Sequence, residues 1–442
     1  MNYPAEPAEC AALLMRAELH EGDRALLVRL LGMPTAGALE TGAVGPPPLL
    51  WEAQLAYADA AGAVGFVPVH HAALAPEDLR RRDVPLAVSR AVRRLPSFLS
   101  DQPSLVLRLG PPRAREATVM FNVHLDTVAG LEPAGFDGVR FHGRGAIDAK
   151  GPAVALLAGI RAARAAEPAI GTSVGVLIQA VSGEEGGAMG VIGTRPLVER
   201  GYIGRLNLFC EPTGRRYLPR ATAAATARVR VDGADAIDDR PAFGHNATVL
   251  LGFLAQHLGL ALAPHAADGQ VCIAGLHTGH LHNRVYGSGE LLVNLSYAAP
   301  DAGRRLEAAF AAALHEGLAD FTRRFAPARD FALTAAQAAS VTRLEWLKRG
   351  LPTLANTDPW GEELLEGAGL ARWPADEPAF TCDAIWMHGV PGVFTAVFGP
   401  GDLAANHAHA CGEFAELAEL ERFAADIARI LVSFARNPGH PS

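Results

Sequence analysis

Apolar residues recur along this chain in two rhythms, and their alternation predicts its architecture. Leu26, Leu27, Leu30 and Leu31 repeat at helical spacing behind Asp23, which can cap the helix, and Gly32 with Pro34 stops it. Trp51 to Ala61 predicts a second helix. After it, Gly65 to Val69, Ser104 to Leu109 and Thr118 to Leu125 read as strands, the last so continuously apolar that burial on both faces is expected. Gly151 to Ala165 then reads as helix, Ser173 to Val181 as another buried strand, and Leu206 to Cys210 repeats the pattern. Such alternation predicts an α/β domain whose mostly parallel sheet is flanked by helices, with ligands gathered at the carboxyl ends of the strands.

From about Arg220 the texture changes. Ala225 to Val231 alternates like a half-exposed strand, Asn246 to Leu258 is helical, Leu291 to Tyr297 is a strand and Arg304 to Arg324 a long helix. This reads as an inserted α+β domain. Signals like those of the first part resume near Ala338 and end in Val393 to Phe398, a Gly399-Pro400-Gly401-Asp402 loop and a helix over Glu413 to Phe434. The expected division is a first catalytic part at 1–218, the insertion at 219–337 and a second catalytic part at 338–442.

Composition narrows the function. At 442 residues, half of them hydrophobic, the chain suits two domains with substantial cores. A net charge of −8 with no basic stripe argues against nucleic acid or an anionic membrane as partner. Five scattered cysteines without Cys-x-x-Cys spacing argue against a disulfide framework and fit a reducing cytoplasm. Residues 1–10 lack a cationic start followed by an apolar stretch, and no uninterrupted apolar run approaches the roughly 20 residues of a membrane span. The expectation is a soluble cytoplasmic protein.

Four short clusters close the strand-like runs: His124-Leu125-Asp126, Gly143 to Asp148, Ser182-Gly183-Glu184-Glu185-Gly186-Gly187 and Cys210-Glu211-Pro212-Thr213. On a strand, His124 and Asp126 point to one side, so the carboxylate can orient the imidazole while its other nitrogen binds a metal. Asp148 sits in a glycine-rich turn where a carboxylate can bridge two cations. Adjacent buried glutamates repel unless a positive group neutralises them or one takes a proton. The economical arrangement makes Glu184 the general base and gives Glu185 and Glu211 to the metals. Singly each cluster is weak, and together they are strong.

In order, spacing and flanking residues the clusters resemble the M20 metallopeptidase family of deacylases, desuccinylases, aminoacylases and carboxypeptidases. The resemblance runs from Leu31-Gly32-Met33-Pro34-Thr35 to Phe398-Gly399-Pro400-Gly401-Asp402 and includes Thr381-Cys382-Asp383-Ala384. It implies that His124 binds one zinc, Asp126 orients it, Asp148 bridges two Zn2+ (or Co2+ or Mn2+), Glu184 is the base, Glu185 and Glu211 are ligands, and a late histidine completes the site. Asn406-His407-Ala408-His409 offers two candidates. Counting from the Gly-Pro-Gly loop favours His407. Counting back from Glu413-Phe414 favours His409, which is preferred because loop lengths vary more readily than a helix entry. The resemblance also implies a small amide substrate and a homodimer formed through the insertion.

The match fails at two places in the insertion. Ile237 stands where relatives carry an oxyanion-stabilising histidine, and Ser296 where they carry a carboxylate-binding arginine, although Asn283 is present. His245 and His280 are candidate replacement substrate contacts, set against a plain reading as polar lid edge and hairpin. The leading expectation is therefore a two-zinc amidohydrolase acting on an N-acyl amino acid or small peptide-like amide. A metal-binding scaffold, or a relative that forms or transfers amides, stands behind it. Cys210 and Cys382 read as packing residues, and Arg144 and Lys150 as neutralising or surface groups.

Overall fold

The computed structural model describes residues 16–42, 47–79, 81 and 83–437. Cys10 and the N-terminal segment read for a leader lie outside them. Ten main strands follow in chain order: β1 (Phe66–Ala73), β2 (Pro103–Leu109), β3 (Thr118–His124), β4 (Gly175–Val181), β5 (Leu206–Phe209), β6 (Ala223–Asp232), β7 (Gln270–His277), β8 (Ser288–Tyr297), β9 (Thr342–Lys348) and β10 (Phe394–Val397).

The chain folds as two compact units, one made of residues up to Ala221 and from Leu354, the other of Thr222–Thr353. The expected return at 338 is thus corrected to 354. Helix Ala332–Val341 leads into β9, and β9 pairs antiparallel with β6, Val231 opposite Thr342 and Arg228 opposite Glu345. That strand is half-buried at nearly every position, so it carries no alternation to mark where it belongs. The entry boundary likewise moves from 218/219 to 221/222.

In the first unit six strands form a mixed sheet in the order β1-β2-β4-β3-β5-β10. The pairings among β4, β3, β5 and β10 are parallel, and β2 alone runs against them. β3 is buried along its whole length, as continuous apolar sequence predicts for a strand covered on both faces. Helices Lys150–Ala166 and Leu417–Arg436 pack side by side. Gly159 permits this approach, since a Cβ there would lie 2.4 Å from the carbonyl oxygen of Ala424. Helix Glu21–Leu31 has His20 as its N-cap residue. Asp23 is not its cap: it lies in the first turn, where its Oδ2 accepts from the His20 amide at 2.8 Å.

The second unit is an antiparallel sheet in the order β7-β8-β6-β9, with helices Ala247–Leu262 and Pro300–Phe325 packed on each other and on β8. Contrary to expectation, the stretch Ala247–His265, with mean hydropathy 1.5, is long and apolar enough to cross a membrane by length and composition. Leu250, Leu251, Leu254, Leu258 and Leu262 are buried within the unit and form one face of the helix, while most of the stretch is not buried.

Candidate metal centre

Because β3, β4, β5 and β10 are parallel, their carboxyl ends lie together, and each feeds a loop of the site. His124 ends β3 and is fully buried. Its Nδ1–H donates to the main-chain carbonyl of Asp126 at 2.9 Å, which aims Nε2 at Asp148 Oδ1 (2.9 Å) and Glu211 Oε2 (3.8 Å). The expectation that the Asp126 carboxylate orients this ring is corrected here. Asp126 Oδ1 is 3.8 Å from Nδ1, while Oδ2 accepts from the amides of Gly183 and Glu185, both at 3.1 Å. The strand ends at His124, so the alternation of side chains no longer applies two residues on.

Asp148 is the meeting point. Its Oδ1 faces His124, and its Oδ2 lies 3.0 Å from His409 Nε2, which is also 2.9 Å from Glu185 Oε1. Two groups of donors therefore share one carboxylate, His124 with Glu211 on one oxygen and His409 with Glu185 on the other. The donor atoms of His124, Asp148 and Glu185 lie within 4.8 Å of one another. His407 instead packs its ring edge-on against Phe414, centroids 5.9 Å apart.

Glu413, which the sequence offers only as a helix-entry marker, supports the Asp148 turn. It is 1% exposed; Oε1 accepts from the amides of Ile147 (3.1 Å) and Asp148 (3.3 Å), and Oε2 from the amide of Gly145 (3.1 Å) and from Arg144 Nη1 (2.8 Å). Arg144 also donates to Glu132, Ala410 and Gly130, so its guanidinium is spent within the protein. Lys150 is equally buried, its Nζ donating to the carbonyls of Leu30 and Met33. Neither residue forms a surface pair.

Crowding shapes the protonation of the centre. Burial pushes Glu184 well above the usual carboxylate range, and neighbouring Glu211, Asp383 and Glu185 add to this. Burial also raises Glu211, and lifts Glu185 to about 7. Burial would lower His124, but the carboxylates of Glu211 and Asp148 outweigh it and hold the ring well above its ordinary value. Asp148 and Glu185 raise His409 to about 10. Asp148 is pushed up by burial but held low overall by His124 and His409. So many buried carboxylates around two imidazoles are a poor resting state for bare protein. The oxygen and nitrogen donor set is that of divalent zinc, cobalt or manganese sites, and the residues fit such a group.

The four described cysteines are free, and burial raises the thiols of Cys210 and Cys382, consistent with packing. Residues Met33, Pro34, Thr35, Thr127, Val128 and Leu131 help line an apolar cavity of about 170 Å³ that begins one residue beyond Asp126. The Thr35 hydroxyl, fully buried there, has no hydrogen-bond partner.

The insertion residues lie in the second unit. His245 is buried, its Nδ1 accepting from the Ala234 amide at 2.8 Å and its Nε2 lying 3.1 Å from Gln337 Oε1, so both nitrogens serve local structure. His280 is exposed beside Tyr286, and Asn283 is exposed just before Arg284. Ile237 is 58% exposed and pairs with Arg284, and the Ser296 hydroxyl accepts from Asn294 Nδ2.

A sheet that gathers histidines and carboxylates at its parallel carboxyl ends defines a metallohydrolase type of site. The chain belongs to peptidase family M20/M25/M40, whose sequence model matches residues 120–433. Among solved structures it resembles aminopeptidase PepT from Bacillus cereus, at 15% identity and TM-score 0.64, covering 94% of this chain and 100% of that one. It also resembles human carnosine dipeptidase 1, at 14% identity and TM-score 0.63, over 97% and 100%. A third is the Bacillus subtilis YXEP protein, described as a dinuclear metal binding peptidase from the M20 family, at 10% identity and TM-score 0.58, over 96% and 98%. No curated protein matches the chain by sequence. At such identities the solved structures establish the fold alone.

Proposed function

We propose that this chain is a two-metal amidohydrolase that cleaves the amide of an N-acyl amino acid or small peptide-like substrate. The observation that carries the reading is the division of Asp148 between His124 and His409, each accompanied by its own glutamate. His124, Glu211 and Asp148 would hold one Zn2+ (or Co2+ or Mn2+), and His409, Glu185 and Asp148 the second. Cations held in this way polarise a carbonyl and lower the pKa of water. Glu184 adjoins the ligand Glu185 and is the carboxylate cast as the group that takes and returns a proton. Its carboxylate accepts the proton of the attacking water as oxygen adds to the amide carbon. The same proton then passes to the departing nitrogen as the C–N bond breaks, leaving a carboxylic acid and an amine.

The apolar cavity beside the His124–Asp126 segment favours a substrate with an uncharged, apolar acyl or side-chain group, because the one guanidinium in its wall is already paired. A homodimer is part of the same reading. β7 is an outer strand of its sheet, with Ile273 and Leu276 partly exposed on it and Leu260 exposed on the helix packed alongside. A second copy joined edge to edge about a two-fold axis would cover them.

The test is amine release from a panel of N-acyl amino acids and dipeptides by zinc-loaded protein, with Glu184→Gln beside it. Turnover should fall by about 10²–10⁴ in the variant while both metals remain bound. Turnover equal to wild type in Glu184→Gln, or less than two metals per wild-type chain, would refute the reading.

A further inference from the structure

The loop that carries Glu184 and Glu185 is built from residues that hold no shape by themselves. Gly183, Gly186, Gly187 and Gly190 all have left-handed backbones (φ 77°, 68°, 71° and 62°), and so does Met189 at 57°. Glycine has the greatest backbone freedom of any residue, and a left-handed methionine persists only where its surroundings over-determine it. Asp126 fixes the near end through the amides of Gly183 and Glu185. The far end is gripped from almost two hundred positions later by the turn Asp383–Met387.

Trp386 Nε1 donates to the Met189 carbonyl at 2.6 Å. Its ring packs against the cluster that includes Ala188, Val191 and Ile192, and the Arg195 guanidinium lies 5.2 Å from its centre. Asp383, 1% exposed, accepts the Thr194 hydroxyl on Oδ2 at 2.5 Å. Its carboxylate sits so tightly against Gly190 that a Cβ there would fall 2.4 Å from Oδ1. Thr194 also accepts from Asn122 on β3, which ties the grip to the strand that ends in His124.

We propose that the turn Asp383–Met387 is a clamp that holds the Glu184–Glu185 loop in its working shape, with Trp386 and Asp383 as positioning residues acting through Met189 and Thr194. This rests on the roles given to Glu184 and Glu185 above. Neither residue touches the reacting atoms. Their loss loosens Glu184 and Glu185 together and leaves the His124–Glu211 half of the site in place.

Trp386→Phe keeps the ring and removes its donor, and Thr194→Val removes the hydroxyl that Asp383 accepts. Three quantities decide the matter in full-length protein: amide hydrogen exchange over 183–193, zinc stoichiometry and affinity, and kcat with KM on the amide panel. Expected are faster exchange confined to that loop, a weakening of one of the two zinc sites by about 10- to 100-fold, and a kcat loss of similar size at nearly unchanged KM. Thr194→Ser should restore all three. Unchanged exchange and zinc affinity in both variants, or exchange that rises evenly over the whole sheet, would overturn the clamp. Glu184→Gln separates the two ideas: it should cut turnover by the same ~10²–10⁴ with wild-type loop exchange. If it does not slow turnover, the base assignment falls while the exchange data still judge the clamp.

Discussion

Removing the acceptor at Glu413 gives the sharpest check on how the Asp148 turn is held. Glu413→Ala removes the acceptor of Arg144 Nη1 and of three amides, those of Gly145, Ile147 and Asp148, while Arg144 keeps Glu132 and the carbonyls of Gly130 and Ala410. Breaking a buried charged pair by deleting one partner costs about 3–5 kcal/mol. Each stranded amide adds up to about 1–3 kcal/mol, less than additively because water and relaxation recover part of it. With Glu132 still paired to Arg144 the stranded amides carry most of the cost, and a loss of about 3–5 kcal/mol is expected, a large share of the ~5–15 kcal/mol that holds an ordinary domain together. Glu413→Gln should fare little better. Its oxygen can still accept from Ile147 and Asp148, but its NH2 group then faces the Gly145 amide and Arg144, donor against donor. Urea unfolding of chelator-treated protein, followed by circular dichroism, keeps fold stability apart from metal affinity. If either variant unfolds within about 1 kcal/mol of wild type, the acceptor role is wrong.

Further predictions concern the ligands, the pH response and the assembly. His409→Ala should lose one of two metals and His407→Ala neither, by elemental analysis after dialysis; the reverse result would move the ligand to His407. Burial places the Asp383 carboxyl at about 8, against ~4 for a free side chain. The folded state therefore binds this proton more tightly than the unfolded chain, so the contribution is favourable at low pH and is lost as pH rises from about 4 to about 8. Asp383→Asn should flatten that decline in metal-free protein, and an unchanged pH profile of unfolding would refute it. Ile273→Lys on the outer strand β7 should convert a dimer to monomer by sedimentation, whereas a dimer that survives would place the interface elsewhere.

The polar clusters at strand ends were legible because burial on both faces writes β3, β4 and β5 as nearly continuous apolar runs, each broken by one buried amide (Asn122, Gln179 or Asn207), and a charged residue that ends such a run needs a partner. His409, which lies 3.0 Å from Asp148, was preferred by counting back from Glu413-Phe414 as a helix entry, but a short strand, Phe414–Glu416, stands there and the helix begins only at Leu417. What was not legible depended on direction and distance. Asp126 reads as a partner of His124 under strand alternation, but the chain turns first and its carboxylate reaches the next loop. Glu413 carries no local sign that three amides from the Asp148 turn converge on it. β9 was assigned to the wrong unit because half-buried residues at successive positions leave no period to read. Trp386 and Asp383 act across almost two hundred residues, a separation no local pattern records.

Asp148 and His409 are 261 positions apart, with the whole second unit between them. During synthesis at about 5–20 residues per second, Asp148 emerges roughly 13–52 s before the histidine that meets its second oxygen. Once Glu211 has been added, the growing chain carries His124, Asp148, Glu184, Glu185 and Glu211, but neither His409 nor Glu413. A ribosome-bound intermediate would thus present a cluster of carboxylates with one imidazole and an unsupported turn. On the two-metal reading proposed above, hydrolysis waits until His409 and Glu413 join the earlier residues of the site.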